Sequence, residues 1–189
     1  MSPRPSARER MLDAFVDVVV DDGERAATLD AVAERSGVSK GGLLYHFPSR
    51  DALVEGVLHR MREAADEDVA AMRSAPEGPV AYHLRTSAPG GSPDESLDRL
   101  IAAVGHVAAS GRHPQAVEAL RAIQARWYEV VLEVVGDPAV ARLVTLVADG
   151  LWFTPGSFAP QGPGDPRSAA TVDDLVAAVA RLVAATPGR

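Results

Sequence analysis

Residues 28–50 read TLDAVAERSGVSKGGLLYHFPSR, and they hold the polar side chains best suited to act on another molecule. The second half of the stretch exposes Ser39, Lys40, the pair Gly41-Gly42, then Tyr45 and His46, and Lys40 is the only lysine in the chain. Leu29, Val32 and Ala33 fall on one helical face, and Val38, Leu43 or Leu44, and Phe47 supply a second. Gly37 stands between the two, where a residue without Cβ tolerates the positive φ of a sharp turn. Two short helices joined by a three- or four-residue turn containing Gly form the helix-turn-helix pattern, whose second helix lies in the DNA major groove. The chemistry expected here is recognition of DNA.

Catalysis finds no support elsewhere. The chain has no cysteine, which removes disulfides, thiolate nucleophiles and Cys-based zinc sites together. His83, His106 and His113 are scattered, with no catalytic triad and no G-x-x-x-x-G-K-[ST] phosphate loop. His59 and Glu63 are spaced i, i+4, a geometry that can bind a metal, but no third ligand matches and the pair reads as surface neighbours. No cofactor is expected. The aromatics gather late, at Trp127, Tyr128, Trp152, Phe153 and Phe158, with Tyr82 earlier. Their default role is core. With Arg126, His106 and Asp149 in helical phase, Tyr82, Trp127, Trp152 and Phe153 could also line an apolar pocket carrying a few polar groups. Asp149-Gly150 interrupts a helical pattern at a cost of ~1 kcal/mol relative to Ala, which close helix approach at a dimer interface would explain, as would a ligand.

Composition limits the partners. At 47% apolar and 24% charged residues the chain is an ordinary globular protein. No apolar run is long enough to span a bilayer, and MSPRPSARER has no apolar leader core, so a cytoplasmic protein without a membrane partner is expected. The formal net charge of −7 argues against a general DNA-coating protein, because nonspecific binding depends on releasing counterions from phosphates. Arg4, Arg8, Arg10, Lys40 and Arg50 cluster early, while Glu63, Asp66, Glu67 and Asp68 follow. That asymmetry suits a site-specific binder with few phosphate contacts.

The elements that must position these residues are all helices. Ser6-Ala7-Arg8-Glu9 is a capping box, and the helix it opens carries Leu12, Phe15, Val16, Val19 and Val20 before stopping at Asp21-Asp22-Gly23. Thr28 and Ser39 are N-caps for the next two helices. Pro48-Ser49-Arg50-Asp51 ends the third and starts a fourth, over about 51–72. A break at 74–79 precedes a short helix at 80–86, then helices at 97–110, 114–135, 138–153 and 171–185. Asp137 caps the eighth and Thr171-x-x-Asp174 the ninth, and 156–166 is a Gly- and Pro-rich loop. Residues 1–5 read as a tail. No strand alternation and no internal repeat occurs, so the fold expected is all-α with about nine helices.

The segment from about residue 8 to 55, with its run TLDAVAERSGVSKGGLLYHFPSRDAL, resembles the tetracycline-repressor (TetR) family of bacterial regulators. That resemblance implies a three-helix helix-turn-helix DNA-binding domain, 6–50. It also implies a helical ligand-binding and dimerisation domain, 51–189, with helix 51–72 connecting the two. It further implies that Thr28 approaches a phosphate and that Ser39, Lys40 and Gly41 open the recognition helix. Tyr45 and His46 correspond to the family's phosphate-positioning pair, and Arg50 replaces its common lysine. Gly42 and Leu44 depart from the usual Thr and Tyr: Gly42 lets the backbone approach the groove, and Leu44 can contact a thymine methyl but cannot hydrogen-bond a base.

The function expected is a homodimeric, ligand-responsive regulator, a repressor released from a palindromic operator by a small-molecule inducer, paired through its last two helices. Two alternatives stand beside it. One is a helical ligand-binding protein or enzyme with an incidental helix-turn-helix, and the other is a nonspecific architectural DNA binder.

Overall fold

The structure, a computed structural model, describes residues 5–92, 95–153 and 171–185. Among these residues every regular element is helical: α1 (Ala7–Asp22), a 3-10 turn (Glu24–Ala26), α2 (Leu29–Ser36), α3 (Lys40–His46), α4 (Arg50–Ser74), α5 (Pro79–Thr86), α6 (Glu95–Ala109), α7 (Pro114–Val135), α8 (Pro138–Phe153) and α9 (Val172–Ala185). The expected tail residues 1–4, the loop 156–166 and Phe158 lie outside the described residues.

The helix starts follow local chemistry. Ser6 Oγ accepts from the Glu9 N–H while the Glu9 carboxylate accepts from the Ser6 N–H, completing the capping box. Asp137 Oδ1 accepts from the N–H groups of Ala139 and Val140, at 2.8 and 3.1 Å. Thr171 and Asp174 cap α9 reciprocally, with Asp174 accepting from the Thr171 N–H and hydroxyl and Thr171 Oγ1 accepting from the Asp174 N–H. Gly23 ends α1 at φ 88°, a conformation that disfavours any side chain.

The chain forms two compact units. One runs to Ala65 and includes Ser96–Ile123; the other holds Asp66–Glu95 and the described chain from Gln124 onward. α4 and α7 each contribute to both. In the first unit α1 buries Met11, Leu12, Phe15, Val16 and Val19, α4 buries Leu53, Val54, Val57, Leu58 and Met61, and α6 adds Leu100, Val104 and Val107. In the second, Met72, Leu84, Val130, Val131, Val144 and Ala148 form a core on which Tyr82 and Trp127 pack. α5 lies against both α8 and α9.

Candidate functional site

The helix-turn-helix is assembled by two hydroxyl caps and one left-handed glycine. Thr28 Oγ1 accepts from the Ala31 N–H at 3.2 Å and starts α2; Gly37, at φ 68°, ends it. Ser39 Oγ then accepts from the Gly42 N–H at 3.1 Å and starts α3. Of the two candidate leucines it is Leu43 that is fully buried, with Phe47 beside it in the core, while Leu44 is exposed. That single anchor fixes the rotation of α3 about its axis, because residues i and i+4 share a face. Lys40, Gly41, Leu44, Tyr45 and His46 are left outward.

Tyr45 is 85% exposed, so its ring contributes nothing to packing, and it lies edge-to-face with His46 at 5.2 Å. A Cβ on Gly41 would meet nothing within 4 Å, so the fold does not demand glycine there; on Gly42 it would approach Ser39 Oγ at 3.2 Å. Lys40 Nζ is held by Asp30 of α2, at 2.8 and 3.0 Å.

Arg50 departs from its expected role. Its guanidinium turns into the unit: Nε donates to the Ala27 carbonyl at 3.0 Å, and one terminal nitrogen donates to the Glu24 carbonyl at 2.9 Å and pairs with the Glu24 carboxylate. The other lies 3.4 Å from His113 Nε2. The cause is Glu24, which is 8% exposed and takes Arg112 as a second cation. Burial drives the Glu24 pKa upward, but hydrogen bonds from Arg112 and Arg50 outweigh it and hold the carboxyl below its ordinary range. Sequence reading missed Glu24 and Arg112. Arg25, also unremarked in the sequence, stands exposed three residues before Thr28.

The expected ligand residues divide. Tyr82 and Trp127 are brought together through Asp68, whose two oxygens accept from the Tyr82 hydroxyl at 3.0 Å and from Trp127 Nε1 at 2.8 Å. Burial, then the Asp68 charge, pushes the Tyr82 pKa up to about 12. The buried imidazole of His83 packs on Trp127, ring centres 5.6 Å apart, and desolvation pushes its pKa down to about 4. Arg126 pairs with Asp66. Asp149 is half-buried, and its pKa is raised by that burial against the pull of Arg142. Trp152 and Phe153 meet edge-to-face at 4.9 Å at the end of α8, with no ring contact to Trp127 among the described residues. His106 is exposed and belongs to the other compact unit.

No group of three or more His, Cys, Asp or Glu among the described residues is placed to hold a metal. No described helix is long and apolar enough to cross a membrane.

Residues 11–57 match the family model described as bacterial regulatory proteins, tetR family, and residues 77–180 match the tetracyclin repressor-like C-terminal domain. The HTH-type transcriptional regulator BetI 1 of Chromohalobacter salexigens is 24% identical over 168 residues, covering 84% of this chain and 83% of that protein. The HTH-type transcriptional activator FasR of Mycolicibacterium smegmatis is 45% identical over 58 residues, 31% of this chain and 26% of that protein. A transcriptional regulator from Saccharomonospora viridis, solved in complex with choline, superposes with a TM-score of 0.66 at 19% identity, covering 95% of this chain and 96% of the other.

Proposed function

The chain belongs to the tetR family of bacterial regulatory proteins and is a DNA-binding transcriptional regulator, and on that premise we propose that it is a homodimeric repressor released from a palindromic operator by a small-molecule inducer. Residues 6–50 read DNA, residues 51–189 bind the inducer and dimerise, and α4 connects them. The observation that carries the reading is α3 itself, anchored by buried Leu43 and presenting an exposed Tyr45–His46 pair. Thr28, Tyr45 and His46 position the protein on phosphates. Ser39, Lys40, Gly41, Gly42 and Leu44 face the groove. Arg50 stiffens the scaffold through Glu24 and leaves the phosphates to the others.

Support for dimerisation lies on α8 and α9, where Leu143, Leu146, Phe153 and Leu182 are large, apolar and exposed. Two such faces close a four-helix bundle and set two reading helices on half-sites about one turn, ~34–36 Å, apart or a multiple of it. The C-terminal family match and the choline complex of a structural neighbour support a small-molecule inducer. Selection of bound DNA from a random pool tests the whole reading. An inverted repeat should emerge with the wild type and be lost with Tyr45→Ala, whose melting temperature stays unchanged. Recovery of sequences without symmetry, or selection unaffected by Tyr45→Ala, would overturn it.

A further inference from the structure

Resting on the ligand-responsive reading above, we propose that the effector is an organic cation and that Asp68, Tyr82, His83 and Trp127 form its recognition site. Asp68 is a half-buried carboxylate whose described partners are both neutral, the Tyr82 hydroxyl and the Trp127 indole N–H. Neutral donors orient a carboxylate without cancelling its charge, and each oxygen keeps a lone pair for a further contact. The arginines of this unit that could have neutralised it are spent on other acids: Arg126 on Asp66, Arg73 on Glu133 and Arg85 on Asp173. Asp68 itself makes no ion pair among the described residues. The buried Glu24, by contrast, is neutralised by two arginines.

The rings around Asp68 suit the same ligand. Tyr82 and Trp127 are half-buried, so part of each ring is open to solvent, and an aromatic face attracts a cation by ~0.5–2 kcal/mol. The neutral imidazole of His83, 6% exposed and packed on Trp127, supplies a polar contact for a hydroxyl or N–H on the ligand without repelling its charge, since burial holds its pKa near 4. The field of this unit has the matching sign: its described residues 66–92, 124–153 and 171–185 carry ten acids and five bases. An anionic effector would meet Asp68 and a net negative field.

Isothermal titration of the full chain tests this, using tetramethylammonium, benzyltrimethylammonium and the neutral isostere 3,3-dimethylbutan-1-ol as probes. The ammonium probes should bind saturably, and the neutral isostere about tenfold or more weakly, the scale of one ~1.4 kcal/mol contact. Asp68→Asn and Trp127→Leu should each weaken ammonium binding about tenfold, and circular-dichroism melts report whether each variant folds. Glu67→Gln removes the same charge one residue away, at an exposed acid with no ion pair among the described residues, and should leave binding within about twofold, separating the contact from the general field. Equal affinity for the neutral isostere, no saturable binding of either ammonium, or full binding by folded Asp68→Asn would overturn the proposal. Ammonium binding without release of operator DNA would support the site while refuting the repressor reading.

Discussion

Asp30 competes with a phosphate for the Lys40 ammonium. The pair is exposed on both sides, so it is worth only ~0–1 kcal/mol, and DNA can displace Asp30 at small cost. Asp30→Asn should therefore raise DNA affinity by up to about fivefold and steepen the slope of log K against log salt by about one, read by fluorescence anisotropy across a salt series. His83 makes a second prediction at this scale. Its folded pKa of about 4 lies below the 6.5 of a free imidazole, so as pH falls the unfolded chain takes up a proton first. The stability tied to neutral His83 is whole above about pH 6.5 and is lost towards pH 4, by up to ~3 kcal/mol. Urea midpoints of the wild type should fall through that window, and those of His83→Phe should fall less.

The elements show how far a sequence can be read. Helix starts were legible because caps are local: Ser6 with Glu9, Thr28, Ser39, Asp137, and Thr171 with Asp174 all make the hydrogen bonds their spacing implies. The outward residues of α3 followed once Leu43 was known to be its buried anchor, a choice that periodicity alone left open between two adjacent leucines. What stayed hidden was the partnership of distant elements. Asp68 meets Trp127 across 59 residues, and Glu24 meets Arg112 across 88; neither pairing has a periodic signature. For the same reason Arg50 looked like a free cation at a helix start. Glu24 joins the 3-10 turn, the start of α4 and the turn between α6 and α7. Glu24→Gln should cost about 2 kcal/mol in chemical denaturation, because Arg50 stays largely buried without its counter-charge while the more exposed Arg112 recovers solvent.

At the scale of the whole molecule, the exposed apolar residues of α8 and α9 carry the dimer prediction. Leu146→Glu should leave the melting temperature of the protomer within about 0.5 kcal/mol in equivalent stability, since the side chain is half-exposed. Light scattering should then report a monomer, and operator affinity should drop by about 10²-fold or more as the two half-sites are no longer bound together. The single lysine has a further consequence. Amine-directed reagents have one side chain to modify in the entire chain, and it sits at the first turn of α3, largely exposed and touching Asp30. A lysine-specific protease likewise has one place to cut, between Lys40 and Gly41. Labelling yield or cleavage at that one bond thus becomes a footprint of operator occupancy that can be read by mass spectrometry in a crude extract, with no engineered tag.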